Sequence, residues 1–473
     1  MTIGMDIRTA SKIRSHKMSN NNSDVTLNRE QGEFKKVLGF WPLVFFGVIA
    51  MSPTCGIIYY PITQAGTNGY AYIGYIIAAI LIALTVLGYQ LMVQRVPKAG
   101  SAFAYTTYGI GPKIGFMFGW ALLIDYALTP MFALGNMAMY FNSIFPEVPE
   151  IVWVLICGAI ITLVSCVGVK TSVYVEVIVG LFVVLFVVFY ICTGLGVIAA
   201  SDEAVLFSSS TVYDGDLISW SGVFGAASLA ILSFCGFDAI TTLAEETKLT
   251  IKKFGHTLMV AAMVQAVLLI LSIFVTSAAK DWTSMSQAEL DVTYMTLLGE
   301  WTTPSIANVL VILTQVCVLT VIIAFATASS RILYSMGCSG IFPKKFFGHL
   351  SVRFGTPTYS ALLVCIVSIV GAIVFDWEFI ANLVSFGACV GFIGVNLSVI
   401  VKFWIKEKQR NVFRMLIAPA IAILGIFYVL INQNAVCLIV GCIWIIVGAA
   451  YLAIRYKTNE DFRNNLNSGN IEM

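Results

Sequence analysis

Val48-Ile49-Ala50-Met51-Ser52-Pro53-Thr54-Cys55-Gly56-Ile57-Ile58 and Leu232-Ser233-Phe234-Cys235-Gly236-Phe237-Asp238-Ala239-Ile240 are two apolar runs, each interrupted midway by polar residues and glycine. Pro53 removes a backbone donor and crowds the carbonyl four residues earlier. Gly56 and Gly236 loosen the backbone further. Unsatisfied backbone at membrane depth is tolerated only where it lines a cavity or is bound by something. Taken singly, each interruption reads as well as a proline kink or a close-packing glycine. As a pair in corresponding places, with an aspartate in one, they point to a binding site at the bilayer midplane between two halves.

The surrounding composition fits that reading. Of 473 residues, 59% are hydrophobic and 11% charged, against about 25% charged in soluble domains. A span needs about 20 mostly apolar residues. Twelve candidates follow: Val37–Gln64, Tyr70–Val93, Ile114–Phe141, Ile151–Val169, Ser172–Ala199, Trp220–Leu243, Thr257–Ala279, Ser305–Met336, Tyr359–Phe375, Ile380–Phe403, Met415–Ile431 and Ala435–Arg455. With both termini in the cytosol, 26 of the 27 Lys and Arg fall on the cytosolic side and only Lys280 lies outside, as the positive-inside rule requires. The outer loops are acidic, a consequence of the same rule more than a funnel for cations.

The expected architecture is an all-α polytopic membrane protein of 12 transmembrane helices. A polar tail over 1–36 reads as cytosolic and disordered, with no cleavable signal peptide. A transmembrane domain covers 37–456, and 457–473 is a second cytosolic tail. Spans 1–5 (about 37–199) and 6–10 (about 220–404) form a five-plus-five inverted repeat with helices 1 and 6 broken, because five is odd and the second group starts with opposite orientation. Helices 11 and 12 (about 415–455) are additions.

Three acids lie within the spans, Asp125, Glu176 and Asp238, while the bases that the bounds take in, Arg331, Lys402 and Arg455, fall at cytosolic span ends. Intramembrane ionisable groups are functional hypotheses by default. With no Lys or Arg to pair them, each is protonated, hydrated or opposite a bound cation. Asp238, beside the second break, ranks first as a substrate ligand, and carbonyls at the two half-helix C-terminal ends add acceptors for an ammonium. Phe234, Gly236 and Phe237 of that break and Ser52, Pro53, Thr54, Cys55 and Gly56 of the first complete the expected binding set, with Asp125 and Tyr126. Trp120 and Tyr126 offer ring faces to an ammonium; for Trp120 simple packing is the stronger reading. Asp125, Glu176 and Asp238 are the candidates for carrying a proton, although Glu176 near the cytosolic end reads equally as a hydrated, snorkelling side chain. Ser329 and Ser330 could ligate sodium, but hydroxyls bonding back to their own helix are the commoner explanation.

The eleven cysteines and three histidines form no metal-ligand spacing, so no metal and no cofactor is expected, and neither is a nucleic-acid partner. The three histidines all map to the cytosolic side, and no HExxH or GxSxG occurs. An intramembrane enzyme is disfavoured, and a channel would want pore-lining repeats over two broken helices.

At Ser233–Thr247 (SFCGFDAITTLAEET), Val96–Tyr105 (VPKAGSAFAY) and Ser330–Gly337 (SRILYSMG) the chain resembles the amino acid–polyamine–organocation superfamily. Within it, Gly115–Trp120 (GFMFGW), Asp125-Tyr126, Pro130-Met131 and Phe145–Pro149 (FPEVP) are similar to bacterial putrescine importers. The likeness spans about 35–455. It implies the five-plus-five repeat, alternating access and proton symport at a bacterial inner membrane. Amino acid permeases of the superfamily carry a Gly-Ser/Thr-Gly run in the first break. Met51–Gly56 departs from it, which favours a substrate without a carboxylate. Some members also place a coupling lysine on span 5, where this chain has Glu176. The expected activity is therefore import of a small organic cation, putrescine-like, by a secondary transporter; the alternative is a neutral amino acid permease or exchanger on the same scaffold.

Overall fold

A computed structural model describes residues 38–64, 66–96, 101–167, 173–200, 218–243, 247–280, 285–338, 340–351, 354–460, 462–463 and 466. The expected tail over 1–36 lies outside them. The first expected span is three helices, α1 (Phe40–Ala50), α2 (Cys55–Ile58) and α3 (Tyr60–Gln64). It is followed by α4 (Ala71–Val93), α5 (Ser101–Gly109), α6 (Pro112–Ile144), α7 (Glu150–Val167) and α8 (Val173–Ala200). The sixth is α9 (Trp220–Leu232), which ends in a turn and resumes as the 3-10 segment Phe237–Leu243. Then come α10 (Ile251–Ala279), α11 (Gln287–Asp291), α12 (Thr293–Trp301), α13 (Pro304–Cys338), α14 (Lys344–Phe347), α15 (Thr358–Val374) and α16 (Trp377–Val399). Two π-helical turns, Ile400–Lys406 and Phe413–Ile417, lead to α17 (Ala418–Ile431) and α18 (Ala435–Thr458).

The described residues contain helices and no β-strand, so the protein is an all-α polytopic membrane protein. Among the described residues, eleven segments have the length and apolar character to cross a bilayer; Thr358–Val374, at 17 residues, is shorter. Helices α5, α11 and α12 form in stretches that read as loops, because each is too short or too polar to register as a span.

Burial separates frame from core. In α16, 72% of the apolar window is buried, against 17% in α18 and 28% in α7, so α16 is interior and the other two present their Ile and Leu side chains outward to lipid. Small residues let α16 approach α6 closely. A Cβ on Gly387 would lie 2.9 Å from the backbone nitrogen of Asp125, one on Gly391 2.6 Å from Leu122, and one on Gly394 2.5 Å from Phe118.

One end of the bundle is basic. Arg95 pairs with Glu407 at 3.1 Å, and the Arg414 guanidinium donates to Gln90 Oε1 at 2.8 Å. Close to this end α18 is fastened to α6 by a reciprocal pair: Trp120 Nε1 donates to the Trp444 carbonyl (3.0 Å) and Trp444 Nε1 to that of Trp120 (2.8 Å). Their rings stack with centroids 4.9 Å apart, so Trp120 belongs to packing rather than to a binding cavity. Phe462 and Leu466, within the expected C-terminal tail, are buried against Phe103, Phe116 and Trp120. Part of that tail is therefore folded onto the bundle, held by apolar burial that its polar neighbours conceal in the sequence.

Candidate functional site

The two breaks touch. At the first, Ser52 sits at φ +50°, a left-handed conformation rare for a side-chain-bearing residue. At the second, Gly236 adopts φ +112°, and a Cβ there would lie 2.5 Å from the Ala50 carbonyl oxygen. Only glycine permits the broken backbone of α9 to lie directly on that of α1.

Each break leaves helix-end carbonyls without their normal partners. The amide of Gln265, fully buried on α10, supplies the donors. Its Nε2 lies 3.3 Å from the Met51 carbonyl, 3.5 Å from that of Ser52 and 3.2 Å from that of Ser233. Sequence reasoning missed this residue; the available signal was one glutamine inside a 29-residue apolar helix.

In front of the breaks lies a cavity of about 60 Å³, counted as space open to the centres of water molecules, enough for several waters. Ala50, Met51, Ser52, Cys55 and Leu232, Cys235 bring the two breaks to its wall. From α6 come Asp125, Thr129 and Asn136. Phe132, Val318, Val321 and Phe325 make an apolar side. Asp125 is 6% exposed, and the Thr129 hydroxyl lies 3.3 Å from the Asp125 Oδ1 and donates to the Asp125 backbone carbonyl at 2.7 Å. The C-terminal ends of α1 and α9 both reach this wall, each carrying the negative pole of a helix dipole. Among the described residues, the lining contains one carboxylate and no Lys, Arg or His.

Of the expected set, Ser52, Cys55 and Asp125 line the cavity. Asp238, half-buried in the 3-10 segment, does not line it, although it is close enough to Asp125 for the two to interact electrostatically. Phe234 and Phe237 are fully buried, the latter against Tyr89 and Phe392. Thr54 holds the Ser52 hydroxyl at 3.0 Å, Gly56 packs against Leu269 and Ser272 of α10, and neither Gly56 nor Pro53 lines the cavity. Tyr126 packs on Phe325, and its carbonyl accepts from the Ser329 hydroxyl. Ser329 also bonds Phe325, and Ser330 bonds Thr327, so both hydroxyls are engaged by backbone, the reading of helical serines that needs no sodium. Glu176 falls in α8, its side chain outside the described residues.

A polytopic helical chain whose two broken helices meet around a largely apolar cavity that holds one carboxylate has the form of a membrane transport protein. Residues 38–459 match the profile described as amino acid permease, and the chain belongs to that family; the relatives and the fold are those of transporters, not enzymes. It is 31% identical to the low-affinity putrescine importer PlaP of Escherichia coli (strain K12), over 93% of this chain and 97% of that one. It is 23% identical to the branched-chain amino acid permease BcaP of Bacillus subtilis (strain 168), over 88% and 91%. A crystal structure of an Eremococcus coleocola manganese transporter superposes with a TM-score of 0.52 at 11% identity, covering 91% of this chain and 98% of that one, a likeness of fold alone.

Proposed function

We propose that this permease imports a small organic cation, a diamine such as putrescine, across the plasma membrane by proton symport with alternating access. The observation that carries the reading is the sign of the cavity: two helix C-terminal ends and the Asp125 carboxylate converge on it with no base among its lining residues. An ammonium entering it exchanges water for fixed acceptors, while a methylene chain lies along Phe132, Val318 and Phe325. A free carboxylate would meet three negative features. The 31% identity to a putrescine importer supports the same substrate class.

Aromatic layers stand on both sides of the cavity. On one side Phe132 stacks on Trp377 and meets Tyr59 edge to face; Tyr89, Tyr105, Phe237 and Phe392 cluster on the other. The Lys248 N–H donates to the Leu38 carbonyl at 3.0 Å, closing the basic ends of the first and sixth spans on each other. These are the two barriers that alternate in this reading. Asp125, on the cavity wall, is the proposed ammonium ligand; since a carboxylate paired with an ammonium carries no proton in the same step, Asp238, off the wall but close enough to interact with Asp125, is the proposed proton carrier.

The test is uptake of labelled putrescine into proteoliposomes under an inward proton gradient. Saturable uptake that a protonophore abolishes is expected. If putrescine neither enters nor competes while leucine or alanine does, the substrate is an amino acid and the diamine assignment fails. Uptake indifferent to the gradient removes the symport.

A further inference from the structure

Gln265 bridges the two halves at their breaks from behind the cavity wall. Its side chain is fully buried, two N–H groups face three carbonyls from both broken helices, and among the described residues its own Oε1 has no hydrogen-bond partner. A buried amide half satisfied and half orphaned is an unfavourable arrangement to keep in an apolar helix. The neighbouring contacts show that α10 is built to bring it there. A Cβ on Gly56 would lie 2.9 Å from the Leu269 and Ser272 side chains, and one on Gly47 3.0 Å from Ala261, so α10 follows the first span along both of its halves.

We infer that Gln265 is a positioning residue: it fixes the half-helix ends of the first and sixth spans relative to one another, and through them sets the affinity of the cavity. It does not line the cavity and touches no substrate. Its amide neutralises the carbonyls that face away from the cavity, leaving the rest of each helix end available to a bound cation. The two breaks are thereby constrained to move as a unit against α10, or to release these bonds when they part. This inference deepens the transport reading and rests on it.

The experiment combines two readouts on Gln265→Leu, Gln265→Asn and Gln265→Glu in the full chain. The first is hydrogen exchange at residues 51–56 and 233–238 in detergent, which needs no substrate. The second is putrescine uptake, with KM and maximal rate measured separately. Faster exchange at both breaks is expected in Gln265→Leu and Gln265→Asn, together with a KM raised about tenfold or more, as stranding buried carbonyls entails. In Gln265→Glu the introduced carboxyl donates only when protonated and repels the three carbonyls when ionised. Its uptake relative to wild type is therefore expected to fall as pH rises, a response that a purely structural role would not produce. Should Gln265→Leu fail to fold, the pH profile of Gln265→Glu decides. Unchanged exchange at the breaks, KM within about twofold of wild type, or a Gln265→Glu pH profile that superposes on wild type would each overturn the inference. If wild type moves no putrescine, the diamine assignment fails on its own, while the exchange data still test Gln265.

Discussion

Asp125→Asn is expected to yield a folded permease whose KM for putrescine is about 100-fold higher. The carboxylate is 6% exposed, lines the cavity and has one hydroxyl, that of Thr129, beside it. Removing one partner of a buried charge pair costs about 2–5 kcal/mol, and each 1.4 kcal/mol is about tenfold in affinity. Asparagine keeps the shape and loses the charge, so the effect isolates electrostatics. Asp238→Asn is the comparison. Because Asp238 stands off the cavity wall, its KM effect is expected to be smaller than that of Asp125→Asn. Competition uptake measures both, and the reverse order would return the ligand role to Asp238.

Gly236→Ala is expected to abolish uptake and to lower the yield of folded protein. Two terms act together. The residue sits at φ +112°, where a side chain costs about 1–3 kcal/mol, and its new Cβ would lie 2.5 Å from the Ala50 carbonyl oxygen. Backbone has no rotamer with which to yield, so the breaks would be forced apart. Gly69→Ala separates the terms, since Gly69 has φ +96° with nothing within 4 Å of its added Cβ. Thermal unfolding in detergent should show a modest loss for Gly69→Ala and a much larger one for Gly236→Ala. Equal losses would mean that the contact between the breaks is not what glycine is there to permit.

Both experiments concern places that hydropathy and composition marked in advance, and the comparison shows what such signals carry. Proline, glycine and polar residues in an apolar run announce a break because they act on the backbone locally, and the interruptions at 51–54 and 233–236 are where Pro53 and Gly236 place them. Span existence was equally legible: Tyr70–Val93 was expected and Ala71–Val93 is observed. What is not local was not legible. Which acid faces the cavity depends on the rotation of each helix against its neighbours, and the Gly387 contact at Asp125 belongs to a partner 262 positions along the chain. Proximity to the break therefore favoured Asp238, while packing put Asp125 on the wall. The role of Gln265 was not legible for the same reason, because its acceptors lie on two other helices. The burial of Phe462 and Leu466 was hidden by the polar residues around them.

The reciprocal indole clasp between Trp120 and Trp444 has a consequence for observing this protein at work. Two indoles stacked at 4.9 Å couple their electronic transitions, and the coupled band exists only while α18 is docked on α6. The molecule thus carries an unlabelled optical gauge of whether its last helix stays with the frame. Near-ultraviolet circular dichroism, recorded with and without a bound cation, reads that gauge: a constant band means the final helix is stationary during the cycle, and a band that collapses means it travels.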